Sequence, residues 1–409
     1  MTGRDPQQSH RAATPLELLF DLTFVVAFGQ AGDQLAHALA DGDTVSGILA
    51  FVFAVTATCW AWINFSWFAS AYDTDDWFYR LTTMVQIIGV VVFALGIPVF
   101  FASLEQGGQV DNGVLVSGYV VMRVALIGQW VRAATQDPDH RGTALTYVLC
   151  VGVAQTGWIA LAVLSLEVFP FFLCAAALFA FESIGPILAE RRSSGSPWHP
   201  HHIAERYGLL AIITLGEGIF GTVAAVSVVV QEHGWSSEAV IVITAGMGLS
   251  FGLWWSYFIM PSGRILARFR SRAFGWGYGH IPIYGSIVAA GAGLHLSAYV
   301  IEGHTSVGVV GAILAIAVPT LIFSLAMFSL YTFLLRTFDP FHITLFAGTV
   351  LLLIMAVLLA TAGASLGVCL LLVAFSPAVV VVGFELMGRR HQAATLDRIF
   401  EGETARPER

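Results

Sequence analysis

The sequence predicts an all-α polytopic membrane protein, with about twelve transmembrane helices in two parallel six-helix repeats and both termini cytoplasmic. Three observations lead there: an apolar composition, a series of hydrophobic runs of spanning length, and a one-sided placement of Arg. Hydrophobic residues make up 57% of the 409 positions and charged residues 11%, with a mean hydropathy of +0.77. Soluble domains carry about 25% charged residues, so a water-soluble globule is excluded.

Twelve apolar runs, each near the ~20 residues that a bilayer crossing needs, lie at roughly 16–39, 45–69, 81–103, 112–131, 145–165, 168–188, 207–230, 238–260, 277–300, 307–335, 343–361 and 366–387. The chain has no Lys, and its 19 basic residues are all Arg. Between runs they fall only in alternate gaps: Arg80, then Arg132 and Arg141, then Arg191, Arg192 and Arg206, then Arg264, Arg268, Arg270 and Arg272, then Arg336. The other gaps carry Asp41, Asp43, Glu105, Asp111, Glu167, Glu232, Glu238 and Glu302. Short basic loops stay cytoplasmic, which places both termini inside. Met1 to Ala13 lacks a cleavable-signal pattern. Cys59, Cys150, Cys174 and Cys369 all fall within runs, where thiols act as small hydrophobes, and no disulfide is expected. The net charge of −8 points to no nucleic-acid partner.

An internal repeat is legible. Arg132 with Asp137-Pro138-Asp139-His140 matches Arg336 with Asp339-Pro340-Phe341-His342, and Phe181-Glu182-Ser183-Ile184-Gly185 matches Phe384-Glu385-Leu386-Met387-Gly388. Trp62 to Phe65 parallels Trp254 to Tyr257, and Gly29-Gln30 parallels Gly216-Glu217. Six is even, so duplicated six-span units run the same way through the membrane. The expected organisation is a tail at 1–13, a first repeat at 14–190, a Gly/Ser/Pro linker at 191–201, a second repeat at 202–388 and a tail at 389–409.

Ionisable side chains within spans are costly and are candidates for function. Thr14-Pro15-Leu16-Glu17 reads as a capping box that opens the first helix, so the cap alone can explain Glu17. Asp21 has no such explanation. It lies one turn deeper on the same face, where two carboxylates repel unless a proton or cation intervenes. Gln30, Asp33 and His37 share another face near the outer surface, and a solvated helix end accounts for Asp33 and His37. Glu205 opens the seventh span as Glu17 opens the first. Glu217 falls about 18 Å deeper, between Gly216 and Gly218. Arg123 stands ~13 Å inside the fourth span and requires a carboxylate; Glu217 or Asp21 is expected first and Glu182 third. Glu182 and Glu385 recur in both halves and point to a shared contact, with Arg or with substrate. His280 and His295 bracket the ninth span. His199, His201 and His202 with Glu205 offer metal-binding atoms in no established spacing, and no metal or other cofactor is expected. Trp60, Trp62, Trp67, Trp254 and Trp255 are expected to form an interfacial belt, with a cavity lining as the alternative for all five and Trp62 and Trp254 as the candidates on a substrate or proton pathway.

The stretch from Thr14 to Phe28 (T-P-L-E-L-L-F-D-L-T-F-V-V-A-F), that from His202 to Glu217 (H-I-A-E-R-Y-G-L-L-A-I-I-T-L-G-E) and the Arg132 loop resemble the bacterial low temperature requirement A family. The resemblance covers essentially the whole chain. It implies a polytopic inner-membrane protein linked by name to growth in the cold, and no settled reaction. The short Gln231-Glu232-His233 stretch departs from the acidic outer loop of such second halves.

The leading functional expectation is a proton-coupled secondary transporter of a small substrate, with Glu217 and Arg123 exchanging partners. Tyr72-Asp73-Thr74-Asp75-Asp76 lacks the basic loop pattern of major facilitator transporters. The alternative is a membrane-embedded enzyme on a lipid or isoprenoid-like apolar substrate, with Glu17, Asp21 and Glu205 as acid and base. No hydrolase or nucleotide motif accompanies them. A third reading, an ion channel, rests on Phe20-Asp21, which resembles the F-S-D of endolysosomal potassium channels but has Leu209 at the matching place of the second half. A non-catalytic stress factor comes last. The bilayer, the unidentified substrate and protons are the expected partners.

Overall fold

The computed structural model describes residues 3–5, 8, 11–192 and 195–404. Ser193 and Ser194 of the expected linker, the rest of both tails, and the side chains of 232, 233 and 400–404 lie outside the described residues. The described chain is helical throughout, with one isolated bridge between Gln109 and Glu167. Its helices are α1 (Pro15–Asp41), α2 (Thr44–Tyr72), α3 (Trp77–Gln106), α4 (Gly113–Gln136), α5 (Arg141–Leu164), α6 (Val168–Glu190), α7 (Pro200–His233), α8 (Ser237–Phe258), α9 (Ser262–Arg268), α10 (Ala273–Tyr278), α11 (His280–Glu302), α12 (Val309–Leu335), α13 (Pro340–Thr361), α14 (Leu366–Gly383) and α15 (Arg389–Thr404). Among the described residues twelve spans are long and apolar enough to cross a membrane, and a helix is the form that pairs most of its own backbone polar groups, as a bilayer demands.

Local chemistry sets the boundaries. Asp76 accepts a hydrogen bond from the Tyr79 amide at 3.0 Å and starts α3, and Gly107 at φ +68° ends it. Asp339 caps α13 through the Phe341 amide at 3.0 Å, with Pro340 in the first turn. The expected seventh span, starting at 207, is corrected: α7 begins at Pro200. The Arg that made 200–206 look like a loop has buried carboxylate partners, so the helix continues past it. The four-Arg loop after α8 folds as α9, a 3-10 turn at 270–272 and α10.

The chain divides into two compact units: Met1–Ala38 with Asp43–Ile213, and Leu39–Gly42 with Thr214–Arg409. In the first, α3 packs on α4, α4 on α5 and α5 on α6. Every residue of α2 from Ala57 to Tyr72 is buried, so Trp60, Trp62 and Trp67 are core residues. That corrects the interfacial belt expected for them. Trp254, 38% exposed and stacked on Phe251, remains at a surface. In the second unit α11 packs on α12, α8 on α14 and α13 on α14.

Helix α4 meets α3 almost backbone to backbone. A Cβ at Gly118 would stand 2.2 Å from the Phe93 nitrogen and 2.6 Å from the Gly89 carbonyl oxygen, atoms that cannot swing aside. Gly128 on the same helix has nothing within 4 Å of its missing Cβ. We expect Gly118→Val to destabilise the detergent-solubilised protein by at least the ~1–3 kcal/mol typical of overpacking, seen as a lower melting temperature. Gly128→Ala should leave it level or raise it. Equal melting of the two variants would refute this packing.

Candidate functional site

At the start of α1 the capping box forms as its sequence requires. The Thr14 amide donates to Glu17 Oε2 at 2.8 Å, and the Glu17 amide donates to Thr14 Oγ1 at 3.3 Å. The cap does not exhaust Glu17. Its Oε1 accepts from Arg206 Nη1 at 3.2 Å and its Oε2 meets His202 Nε2 at 3.1 Å. One turn on, Asp21 Oδ2 accepts from Arg206 Nε at 3.1 Å, and Oδ1 accepts from Arg206 Nη2 and from Trp62 Nε1, the latter at 2.7 Å. The guanidinium thus grips Asp21 side-on and still reaches Glu17, the strong bidentate geometry open to Arg. It also lies 5.6 Å from the Trp62 ring centroid and 5.8 Å from that of Phe65, positions that favour a cation.

Glu17, Asp21, His202 and Arg206 are each 0% exposed. The cation between the two carboxylates is therefore a side chain of α7. The sequence places Arg206 in a cytoplasmic loop, but it is buried in α7; Glu205, grouped with Glu17 and Asp21 by sequence, is instead exposed and accepts a 3.4 Å bond from the Ala13 amide. What signalled Arg206 was position: it follows His202 by one helical turn, as Asp21 follows Glu17, so two paired faces were on offer.

The stretch before α1 closes this end of the first unit. Arg11 sits 3.9 Å from Glu17 and donates to the carbonyls of Ser70 and, at 2.6 Å, Ala69. It thereby satisfies terminal carbonyls of α2 with a positive charge at the negative end of the helix dipole. Burial lowers the Arg11 pKa to about 10, outweighing the attraction of Glu17. Burial, aided by the charge of Glu17, raises the pKa of Asp73. The hydrogen bonds of Arg132 hold Asp76 well below the usual carboxylate range. For Asp137 burial pulls the other way, but His140, the Gly3 amide and the Tyr72 hydroxyl keep it low.

His202 has a specific opening. Its Nε2 faces a carboxylate oxygen and so carries the proton in the neutral ring, which leaves Nδ1 as an acceptor. That Nδ1 is buried with no hydrogen-bond partner, as are Tyr79 Oη, Asp73 Oδ2 and Arg11 Nε nearby in the fold. Buried polar atoms in this state are commonly met by ordered water.

A second buried cluster joins α4, α5 and α6. Arg123 Nη2 lies 3.6 Å from Glu182 Oε2 and donates at 2.7 Å to the Tyr119 hydroxyl, which donates on to Glu182 at 2.6 Å. Trp158 Nε1 and Gln155 Nε2 complete the carboxylate at 3.0 and 3.2 Å. Arg123 therefore pairs with Glu182, not with Glu217 or Asp21, the partners expected first. The contact is not repeated at Glu385, which bonds the exposed Arg389 one turn away at 2.8 Å.

The remaining sequence candidates are dispersed. Glu217 is buried in the second unit with its backbone against α11, where a Cβ on Gly291 would come within 2.6 Å of the Glu217 carbonyl carbon. The close approach foreseen at its flanking glycines falls at Gly218, against Ser250, while Gly216 faces open space. His280 is a packing residue: Nδ1 donates to the Trp276 carbonyl at 2.8 Å, and Nε2 accepts from the Tyr257 hydroxyl at 3.0 Å. His295 is half-buried and stacks on Tyr299. Gln30 and Asp33 are half-buried and His37 is exposed. His199 Nε2 bonds the Gln8 carbonyl at 2.9 Å and His201 is exposed. Among the described residues no three His, Cys, Asp or Glu side chains are placed to hold a metal ion, and the four cysteines are free thiols.

No curated protein and no solved structure matches the chain. The family model described as bacterial low temperature requirement A protein (LtrA) matches residues 12–377. That match takes in both helices of the buried Glu17, Asp21, His202 and Arg206 cluster and every span but part of the last, and the chain belongs to the bacterial low temperature requirement A family.

Proposed function

We propose that the chain is a proton-coupled secondary transporter of a small substrate, and that its proton is exchanged at the Glu17, Asp21, His202 and Arg206 cluster rather than at Glu217. The single observation carrying this reading is the charge balance of the cluster. Glu17 and Asp21 are offset by Arg206 and Arg11, so within these four residues the group left to take up a proton is His202, whose buried Nδ1 has no hydrogen-bond partner. Imidazole is the side chain suited to exchange near neutral pH, and a proton there would disturb every hydrogen bond that Glu17 makes.

In this reading the chain lies in the bacterial inner membrane with both termini cytoplasmic, as two parallel six-span repeats at 14–190 and 202–388 joined by 191–201. The matched local geometry of Asp137 with His140 and Asp339 with His342, each 2.9 Å between Oδ2 and Nδ1, favours the repeat. The cluster faces the cytoplasmic side, where the positive-inside rule puts the basic termini. Arg123, Glu182, Glu385 and Glu217 are then structural or substrate-side groups.

Liposomes containing the purified chain and enclosing pyranine, offered pools of small metabolites in turn, test this. A pool containing substrate will shift lumenal pH with the unaltered chain. The shift will be lost in His202→Gln, which keeps a donor toward Glu17 but has no basic nitrogen, and kept in Glu217→Gln. A steady K⁺ or Na⁺ current under an imposed potential, with no pool moving protons, would assign the chain to the channels instead.

A further inference from the structure

The second unit holds a cavity of its own. It lies where α8 and α12 end and α13 begins, and the π-helical turn at Phe384–Gly388 opens beside it. Such turns widen a helix and recur at functional sites. The cavity is partly open and encloses about 50 Å³, space for roughly three or four water-sized groups.

Most of its wall is apolar, including Met260, Met327 and Phe384, and Met adapts to varied chains. Three hydroxyl residues interrupt it, and Ser324 already donates to the Thr320 carbonyl at 3.0 Å. The other two, Ser256 and Tyr331, are lining residues only 8% and 7% exposed, and their buried hydroxyls have no hydrogen-bond partner. A buried hydroxyl left unpaired is destabilising, and two in one small cavity mark a place where an acceptor belongs. The Tyr331 ring is held by His342, whose ring centroid is 4.3 Å away and whose Nδ1 is fixed 2.9 Å from Asp339 Oδ2. His391 reaches the same oxygen at 2.6 Å.

This arrangement selects among ligands. Two donors in an apolar chamber recognise a carbonyl oxygen, and an anionic head is disfavoured because no Arg lines the cavity and Asp339 stands behind His342. We propose that the cavity binds a neutral, carbonyl-bearing amphiphile, whose oxygen accepts from Tyr331 and Ser256 while its apolar chain lies against Met260, Met327 and Phe384. An acyl ester of a membrane lipid and an isoprenoid quinone share that chemistry. The site is independent of the proton cluster in the first unit, and its failure would leave that reading untouched.

The test uses the full purified chain, delipidated in detergent, with a long-chain fatty acid methyl ester bearing a diazirine on its chain. Photolabelling should concentrate on peptides containing Met260 and Met327, and the free fatty acid should label them far less. Competition by phospholipid assigns the natural ligand to acyl esters, and competition by menaquinone assigns it to quinones. The double variant Ser256→Ala, Tyr331→Phe removes both hydroxyls at almost no change in volume. It should lose the labelling while the ligand-free protein melts no lower, because two unpaired groups are gone. Ser324→Leu, which fills the cavity from another wall, should lose it too. Labelling spread evenly over lipid-facing helices, equal labelling by ester and acid, or labelling indifferent to both variants overturns the proposal.

Discussion

Arg206→Gln will be the most damaging single substitution in the first unit, lowering stability by about 3–5 kcal/mol, the usual cost of stripping a buried carboxylate of its cation. Two carboxylates lose their partner at once, since the guanidinium spans Asp21 and Glu17, and Arg11 at 3.9 Å from Glu17 is not placed to reach both. Extracted yield and thermal unfolding in detergent measure the effect. The triple variant with Glu17→Gln and Asp21→Asn removes the stranded charges and should recover most of the loss. An Arg206→Gln protein that melts with the unaltered chain would remove the ion pair from the stability of this unit.

At the second buried cluster the expected result is an asymmetry. Glu182→Leu leaves Arg123 charged at depth with the Tyr119 hydroxyl as its remaining partner, and a guanidinium so placed costs about 2.5–3.5 kcal/mol even on the milder insertion scales. Arg123→Leu leaves Glu182 with three neutral donors, Tyr119, Gln155 and Trp158, and should cost nearer ~1–2 kcal/mol. Denaturation of both variants side by side decides the matter. Equal losses would mean that the neutral donors do not cradle the carboxylate.

These two clusters also mark how far sequence reasoning reached. The capping box at Thr14 and Glu17 was legible because it is local: four adjacent residues specify both hydrogen bonds. The spans were legible for the same reason, each being a continuous apolar run of fixed length. That Arg123 required a carboxylate followed from burial cost alone, and that a proton or a cation had to stand between Glu17 and Asp21 followed from their repulsion. The identities of those charges did not. Depth arithmetic along one helix says nothing about which neighbour faces it, and α6 continues beyond Glu182 to Glu190, which carries Glu182 deeper than a helix-end reading allowed. Arg206 was hidden by a rule that is sound in general: an Arg beside a span usually sits in the cytoplasmic loop. Trp62 was hidden likewise, since the belt is the common fate of Trp, and only the burial of α2 on every side makes it a donor to Asp21.

The separation of Asp21 from Arg206 bears on how the protein is made. Their pairing spans 185 residues, roughly 10–40 s of synthesis at ordinary elongation rates. Throughout that interval α1 exists with both of its carboxylates while the helix that carries their cation has not left the ribosome. A chain released after α6 would have all the helices that precede α7 and would still lack Arg206 and His202. The first compact unit, which runs on to Ile213, is thus completed only when the N-terminal part of the seventh helix has been made.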